Sequence, residues 1–189
     1  LVDGESYLSY QKGCIAFYNM RDMIGEDSLN SALAAFIKKY NYQDSPYPTS
    51  LDLLGFVEKV VPDSLNYLIN DWFKTITLYD NRTDTAEYRK TDDGKFIVDI
   101  FTTSKKYQSD SIGKQEALPM ADWIDLGIYA KGSDEKDSLI YLKKVKITDL
   151  KSKFSIVVDK EPVSAGIDPL NKLIDRNMLD NKKTVKKKG

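Results

Sequence analysis

The sequence predicts an α+β chain: an N-terminal helical subdomain of about four helices, followed by an antiparallel β-sandwich. Three observations carry that prediction. Apolar residues recur three or four apart up to about residue 75. From Thr75 onward the period becomes two. The alternating runs are separated by polar turn signals, with no helical pattern between them, which argues against β-α-β units. The expected domains are 1–75, helical, and 76–189, sandwich.

The helical elements follow in order. Cys14, Phe17, Met20 and Ile24 form one stripe, and Cys14, flanked by Gly13 and Ile15-Ala16-Phe17, reads as a buried thiol used as a small apolar residue. Gly25 ends that helix, and Glu26-Asp27-Ser28 opens the next with acids in its first turn. Leu29, Leu33, Phe36, Ile37 and Tyr40 give the second stripe. Pro46 and Pro48 then break the chain, and Thr49-Ser50-Leu51-Asp52 has the spacing of a capping box. Leu51, Leu54, Val57 and Val61 carry a third helix. Pro62-Asp63-Ser64 starts a fourth, with Leu65, Leu68, Ile69, Trp72 and Phe73 inward.

In the second half, Thr75 to Leu78 reads as a strand, with a turn at Asp80-Asn81 before Thr83 to Arg89. Asp92-Asp93-Gly94 is a hairpin signal ahead of Phe96 to Phe101. Ile124, Leu126, Ile128 and Ala130 alternate with Trp123, Asp125, Gly127 and Tyr129. Leu139 to Ile147 and Phe154 to Val158 complete a set of six or seven short strands.

Composition narrows the function classes. With 28 basic and 29 acidic residues the net charge is −1, which leaves no electrostatic footprint for nucleic acid. The one basic run, Lys182-Lys183 and Lys186-Lys187-Lys188, reads as a solvated end. A single cysteine excludes an intrachain disulfide, and with no histidine it cannot form a cysteine-histidine nucleophile. No stretch approaches 18 apolar residues, and the first residues lack a signal pattern, so localisation stays open and any membrane link lies outside the chain.

One motif carries chemistry. Tyr10-Gln11-Lys12-Gly13 precedes the first helix, and Arg21, Ile24-Gly25-Glu26-Asp27, Leu33, Phe36, Tyr40, Pro48-Thr49, Asp52-Leu53 and Trp72 follow it in order. The set resembles the zinc aminopeptidases related to aminopeptidase N and leukotriene hydrolase, the gluzincins. The resemblance implies that 1–75 is the C-terminal part of a gluzincin catalytic domain and that 76–189 is the sandwich behind it. It implies a parent that removes N-terminal residues from peptides, using zinc held by two histidines of a His-Glu-x-x-His helix and a downstream glutamate.

By that resemblance Tyr10 is the catalytic residue, its phenol donating a hydrogen bond to the oxyanion of the tetrahedral intermediate. One oxyanion donor is worth about 2.7–4 kcal/mol in a well-studied case. Tyr7 lies three residues earlier, but the motif points to Tyr10. Lys12 is expected as a helix-surface charge, and Gly13 as a point of close packing. The missing histidines remove both nitrogen ligands of the family's metal. The metal site is therefore expected in an upstream half of the same polypeptide, with no zinc bound by this chain and no activity from it alone. The alternative is a non-catalytic interaction or scaffold module derived from the family.

The end of the chain, Ala165-Gly166-Ile167-Asp168-Pro169 with Asn171, Ile174-Asp175, Asn177 and Asp180-Asn181, resembles the ending of bacterial members, some fused behind a permease-like membrane region. A membrane-associated parent is one expectation from this. The Asp/Asn density does not have calcium-loop spacing, so these side chains are expected to cap turns. Trp123, Tyr129 and Tyr141 are expected as packing residues rather than a sugar-binding face, and Asp122 and Asp125, three apart on a strand, face opposite sides. Separated from its packing partner, the helical half is expected to expose apolar surface and to favour a homodimer.

Overall fold

The structure is a computed structural model and describes residues 12–133 and 136–188. It divides into two compact units, one ending at Thr77 and the other starting at Leu78.

In the first unit, α1 (Gly13–Ile24) and α2 (Glu26–Tyr40) meet at Gly25, whose N–H donates to the Arg21 carbonyl at 2.9 Å. α1 buries Ala16, Asn19 and Met20, and α2 buries Leu29 and Ala32. The inward stripe of α1 is thus centred on Ala16 and Met20, and Cys14 falls on the exposed side of the helix instead of in the core. Helix period explains the difference: Ala16 and Met20 are four apart, whereas Cys14 lies two residues before Ala16, well round the helix from that face. α3 (Ser50–Val57) has the full capping box: the Thr49 hydroxyl accepts from the Asp52 N–H, and the Asp52 carboxylate accepts from the Thr49 N–H. Leu54 and Val57 are buried, but Leu51, expected in the same stripe, is 74% exposed.

The fourth helix is three windings rather than one. A 3-10 turn (Asp63–Leu65) leads into α4 (Asn66–Ile69), which passes into a π turn (Asn70–Lys74) closed by Thr75 N–H on the Asn70 carbonyl at 2.9 Å. The wider π winding lets Leu68, Ile69 and Trp72 all be buried. Phe17 meets Phe73 edge-on at 5.4 Å, and Phe36, Tyr40 and Phe56 form a second aromatic contact set.

The second unit is a β-sandwich of two mostly antiparallel sheets packed together. Its strands are β1 (Ile76–Lys90), β2 (Phe96–Ser109), β3 (Gln115–Leu118), β4 (Asp122–Lys131), β5 (Asp137–Ile147), β6 (Lys151–Val158), β7 (Pro162–Ile167), β8 (Lys182–Thr184) and β9 (Lys186–Lys187). Among the described residues, one sheet runs β3-β2-β1-β9 with β6 also on β2, and the other runs β5-β4-β7-β8. The α+β class and the sandwich expected from periodicity are both present. Val98 and Ile100 of β2, Ile124, Leu126, Ile128 and Ala130 of β4, and Ala165 and Ile167 of β7 are at most 2% exposed. At roughly 1.5–3 kcal/mol for each large apolar side chain removed from water, this layer supplies much of the drive to fold.

Two local expectations fail here. There is no turn at Asp80-Asn81: β1 continues through it, because Asn81 is fully buried and its N–H donates to Asp175 at 3.0 Å. The lysine run is not a loose end either. It forms β8 and β9, with Val185 buried between them, and so pairs one strand with each sheet.

Gly166 is where this closing segment comes nearest to the sheet. A Cβ there would lie 1.9 Å from the Asn181 backbone oxygen and 2.9 Å from Lys182 Cα, so backbone would have to move. Gly166→Ala is expected to cost about 3 kcal/mol, near the top of the overpacking range, with the loss read as a lowered midpoint in urea unfolding.

Candidate functional site

Tyr10, Tyr7 and Gln11 lie outside the described residues. The described part of the motif starts at Lys12, and its place differs from that of a surface charge. Its ammonium donates to the Thr75 carbonyl at 3.0 Å, linking the start of α1 to the end of the π turn. Lys12 is half-buried, and that burial pushes its pKa below the usual lysine value. The contact spends a cation on a backbone carbonyl left without an intrahelical partner at a helix end. The aliphatic stem of Lys12 is well suited to this, since it can lie along apolar surface while the head bonds.

The donor set does not fit a zinc centre. The sequence has no histidine, and its one thiol, Cys14, stands on an exposed helix face. Among the described residues no three His, Cys, Asp or Glu side chains converge as a metal site. Carboxylates alone suit hard cations better than zinc.

The sandwich holds two buried ionic nodes on opposite faces of β4. Inward, Asp122 accepts from the Tyr79 hydroxyl at 2.9 Å and from Lys106 at 3.0 Å, all three residues being buried. Outward, Asp125 is bonded to Lys172 at 2.7 Å and to Lys144 at 3.3 Å. The two carboxylates therefore face opposite sides, as their spacing predicts, and cannot flank one scissile bond. The aromatics do not make a shared face. Trp123 and Tyr129 lie on the outward side, where the Tyr129 hydroxyl reaches the Pro169 carbonyl at 3.4 Å, while Tyr141 is paired with the inward Ile128.

The Asp/Asn-rich segment caps turns. Asp168, with φ at +41°, accepts N–H bonds from Lys172 at 2.9 Å and Leu173 at 3.0 Å. Asp175 accepts from Asn177 at 3.1 Å and from Asn81, and Asn177 accepts from Leu179. The segment also bonds across the sandwich: Tyr79 N–H donates to the Ile174 carbonyl, and the Thr83 hydroxyl donates to the Asn181 carbonyl at 2.7 Å. Sequence reasoning identified the capping role but not these long-range bonds, which leave no local signal.

Burial pushes the Asp168 carboxyl up to about 7, and its two backbone hydrogen bonds only partly offset the effect, with Asp175 and Asp125 adding repulsion. Asp175 is raised for the same leading reason. Asp99 goes the other way. Burial alone would raise it, but the Ser155 hydroxyl at 2.5 Å and Lys153 at 3.2 Å hold it below the usual range.

The chain matches no protein-family model and no curated protein. The functional reading therefore rests on the residues and their geometry.

A carboxyl whose folded pKa is raised binds its proton more tightly in the folded state. Its stabilising contribution is complete below the unfolded value near 4 and is lost as pH rises towards 7. Stability carried by Asp168 is expected to fall by up to about 1.4 kcal/mol per pH unit across that window. Urea unfolding at a series of pH values should show the decline, and Asp168→Asn should reduce it, leaving the part of the same sign that Asp175 contributes. Asp99 contributes with the opposite sign at the acid end, so an Asp99→Asn background sharpens the measurement.

Proposed function

We propose that this chain is the C-terminal part of a zinc-dependent aminopeptidase, contributing the oxyanion-stabilising Tyr10 and leaving the metal to polypeptide that precedes it. The observation that carries the reading is the ordered residue set that starts at Tyr10-Gln11-Lys12-Gly13 and runs to Trp72, of which Lys12 is held on the Thr75 carbonyl at 3.0 Å. The succession of helical unit and sandwich supports the same reading.

The chemistry assigned to this chain is limited to its own residues. In this role the phenol of Tyr10 donates to the oxygen that becomes charged when a peptide carbonyl is attacked. A neutral donor adds no charge to the ground state, so its effect grows as the oxyanion develops. The chain by itself is expected to bind no zinc and to hydrolyse no aminoacyl amide.

Exposed apolar side chains in the helical unit favour a second reading. Ile37 is 59% exposed, Leu51 74%, Tyr47 73% and Tyr42 fully. Surface of this kind is covered either by the upstream half of the same polypeptide or, in a non-catalytic interaction module, by a separate partner or a second copy.

The test joins the chain to the polypeptide encoded ahead of it. Stoichiometric zinc and chelator-sensitive hydrolysis of an aminoacyl anilide are expected, with Tyr10→Phe lowering kcat by about 10²-fold or more and leaving KM nearly unchanged. An unchanged kcat would remove the role from Tyr10. A preceding polypeptide without His-Glu-x-x-His would leave the interaction module as the surviving reading.

A further inference from the structure

The carboxylates of the sandwich differ in how their charge is met. Asp99 has Arg89 and Lys153 beside it, Asp122 has Lys106, and Asp125 has Lys144 and Lys172. Asp175 and Asp180, on the segment after β7, have no ammonium or guanidinium partner among the described residues. The adjacent Arg176 is turned onto the Tyr107 ring, 4.3 Å from its centre. Burial pushes the Asp175 carboxyl above the usual range, and the neighbouring charge of Asp180 adds to the push. Asp180 Oδ1 is itself buried without a hydrogen-bond partner.

A third oxygen donor faces this pair from β1. Asn81 is fully buried, and its backbone N–H donates to Asp175 at 3.0 Å, which sets the carboxylate against the strand. Its side chain lies near enough to the same carboxylate to favour the charged form, yet neither Oδ1 nor Nδ2 has a hydrogen-bond partner. A water bridging the amide would leave the two acids without counter-charge, whereas a cation meets both needs. Turn capping does not exhaust the carboxylates. Asp175 Oδ1 accepts one N–H from Asn177 and Oδ2 one from Asn81, and each oxygen keeps a second lone pair.

We propose that Asp175, Asp180 and the side-chain oxygen of Asn81 hold a calcium-sized divalent cation, with waters completing its shell, and that the ion pins the segment after β7 to β1. A hard cation of this size takes roughly six to eight oxygens and accepts carboxylate, amide and water together, and two carboxylates balance its charge. Magnesium demands a stricter octahedron and gives up its water reluctantly, so donors fixed on two separate elements suit it less. The donors come from positions 81, 175 and 180, and no linear calcium motif marks them.

Calcium chloride added to the chelator-treated 189-residue chain tests this. The midpoint of urea unfolding is expected to rise as calcium reaches about 1 mM, because an ion held only by the folded state stabilises it. Amide resonances of residues 81 and 175–181 should shift in the same titration, which locates the ion without a variant. Asp180→Asn removes one charge, while its amide oxygen can still accept from Asn177. It should fold as the parent does without calcium and bind calcium about tenfold or more weakly in calorimetry. No rise at about 10 mM calcium, or a rise that sodium chloride reproduces at matched ionic strength, would overturn the proposal. So would resonance shifts confined to other residues, calcium binding by Asp180→Asn equal to that of the parent, or a crystal grown with calcium that shows only water beside Asn81.

Discussion

Asp125 sits on the outward side of β4, yet it is only 4% exposed, and a lone carboxylate buried there would cost several kcal/mol. Its partners are Lys144 on the neighbouring strand and, at the shorter distance, Lys172, itself buried, which comes from the segment leaving β7. The pairing dictates the path of everything after Ile167. With Lys172 held on Asp125, the Asp168 N–H reaches the Asp125 carbonyl at 2.7 Å, and Ile174 and Asp175 arrive at β1. The following residues then supply β8 to one sheet and β9 to the other. The sandwich is in this sense closed by a strap whose first fixed point is a buried ion pair.

That arrangement also explains why polar residues crowd the end of the chain. Asp168, Asp175, Asn177 and the Asn181 carbonyl each accept hydrogen bonds from amides or hydroxyls. An irregular segment running over sheet faces cannot satisfy its backbone by a regular ladder. Short acceptor side chains do so at each bend, which is what Asp and Asn provide.

The parts of the fold visible in sequence are those set by local period. The inward set of β4 could be read residue by residue, because every second side chain meets the facing sheet. The capping box at Thr49 was equally plain, being a three-residue pattern. β1 was less so: Asp80-Asn81 has turn chemistry, but tertiary bonds from Asp175 and burial of Asn81 keep it extended. β8 and β9 look like a solvated basic tail, since their lysines point to water and only Val185 signals a buried side. Lys12 could not be placed from sequence, because its bond spans 63 residues. Of the candidate site, the sequence suggested Tyr10 through its neighbours, and the geometry shows how its neighbour Lys12 is held.

The strap has a consequence for the order of events during synthesis. The chain emerges from its N-terminus, so β1 and β2 are available early and can pair as neighbours. Two edges stay open until Lys182 to Thr184 and Lys186-Lys187 are made. The sandwich can therefore close only once residues 182–187 have been made, and its half-built sheets wait with unpaired edges in the meantime. A pause in translation between β7 and β8 would prolong that exposure far more than the same pause among the helices.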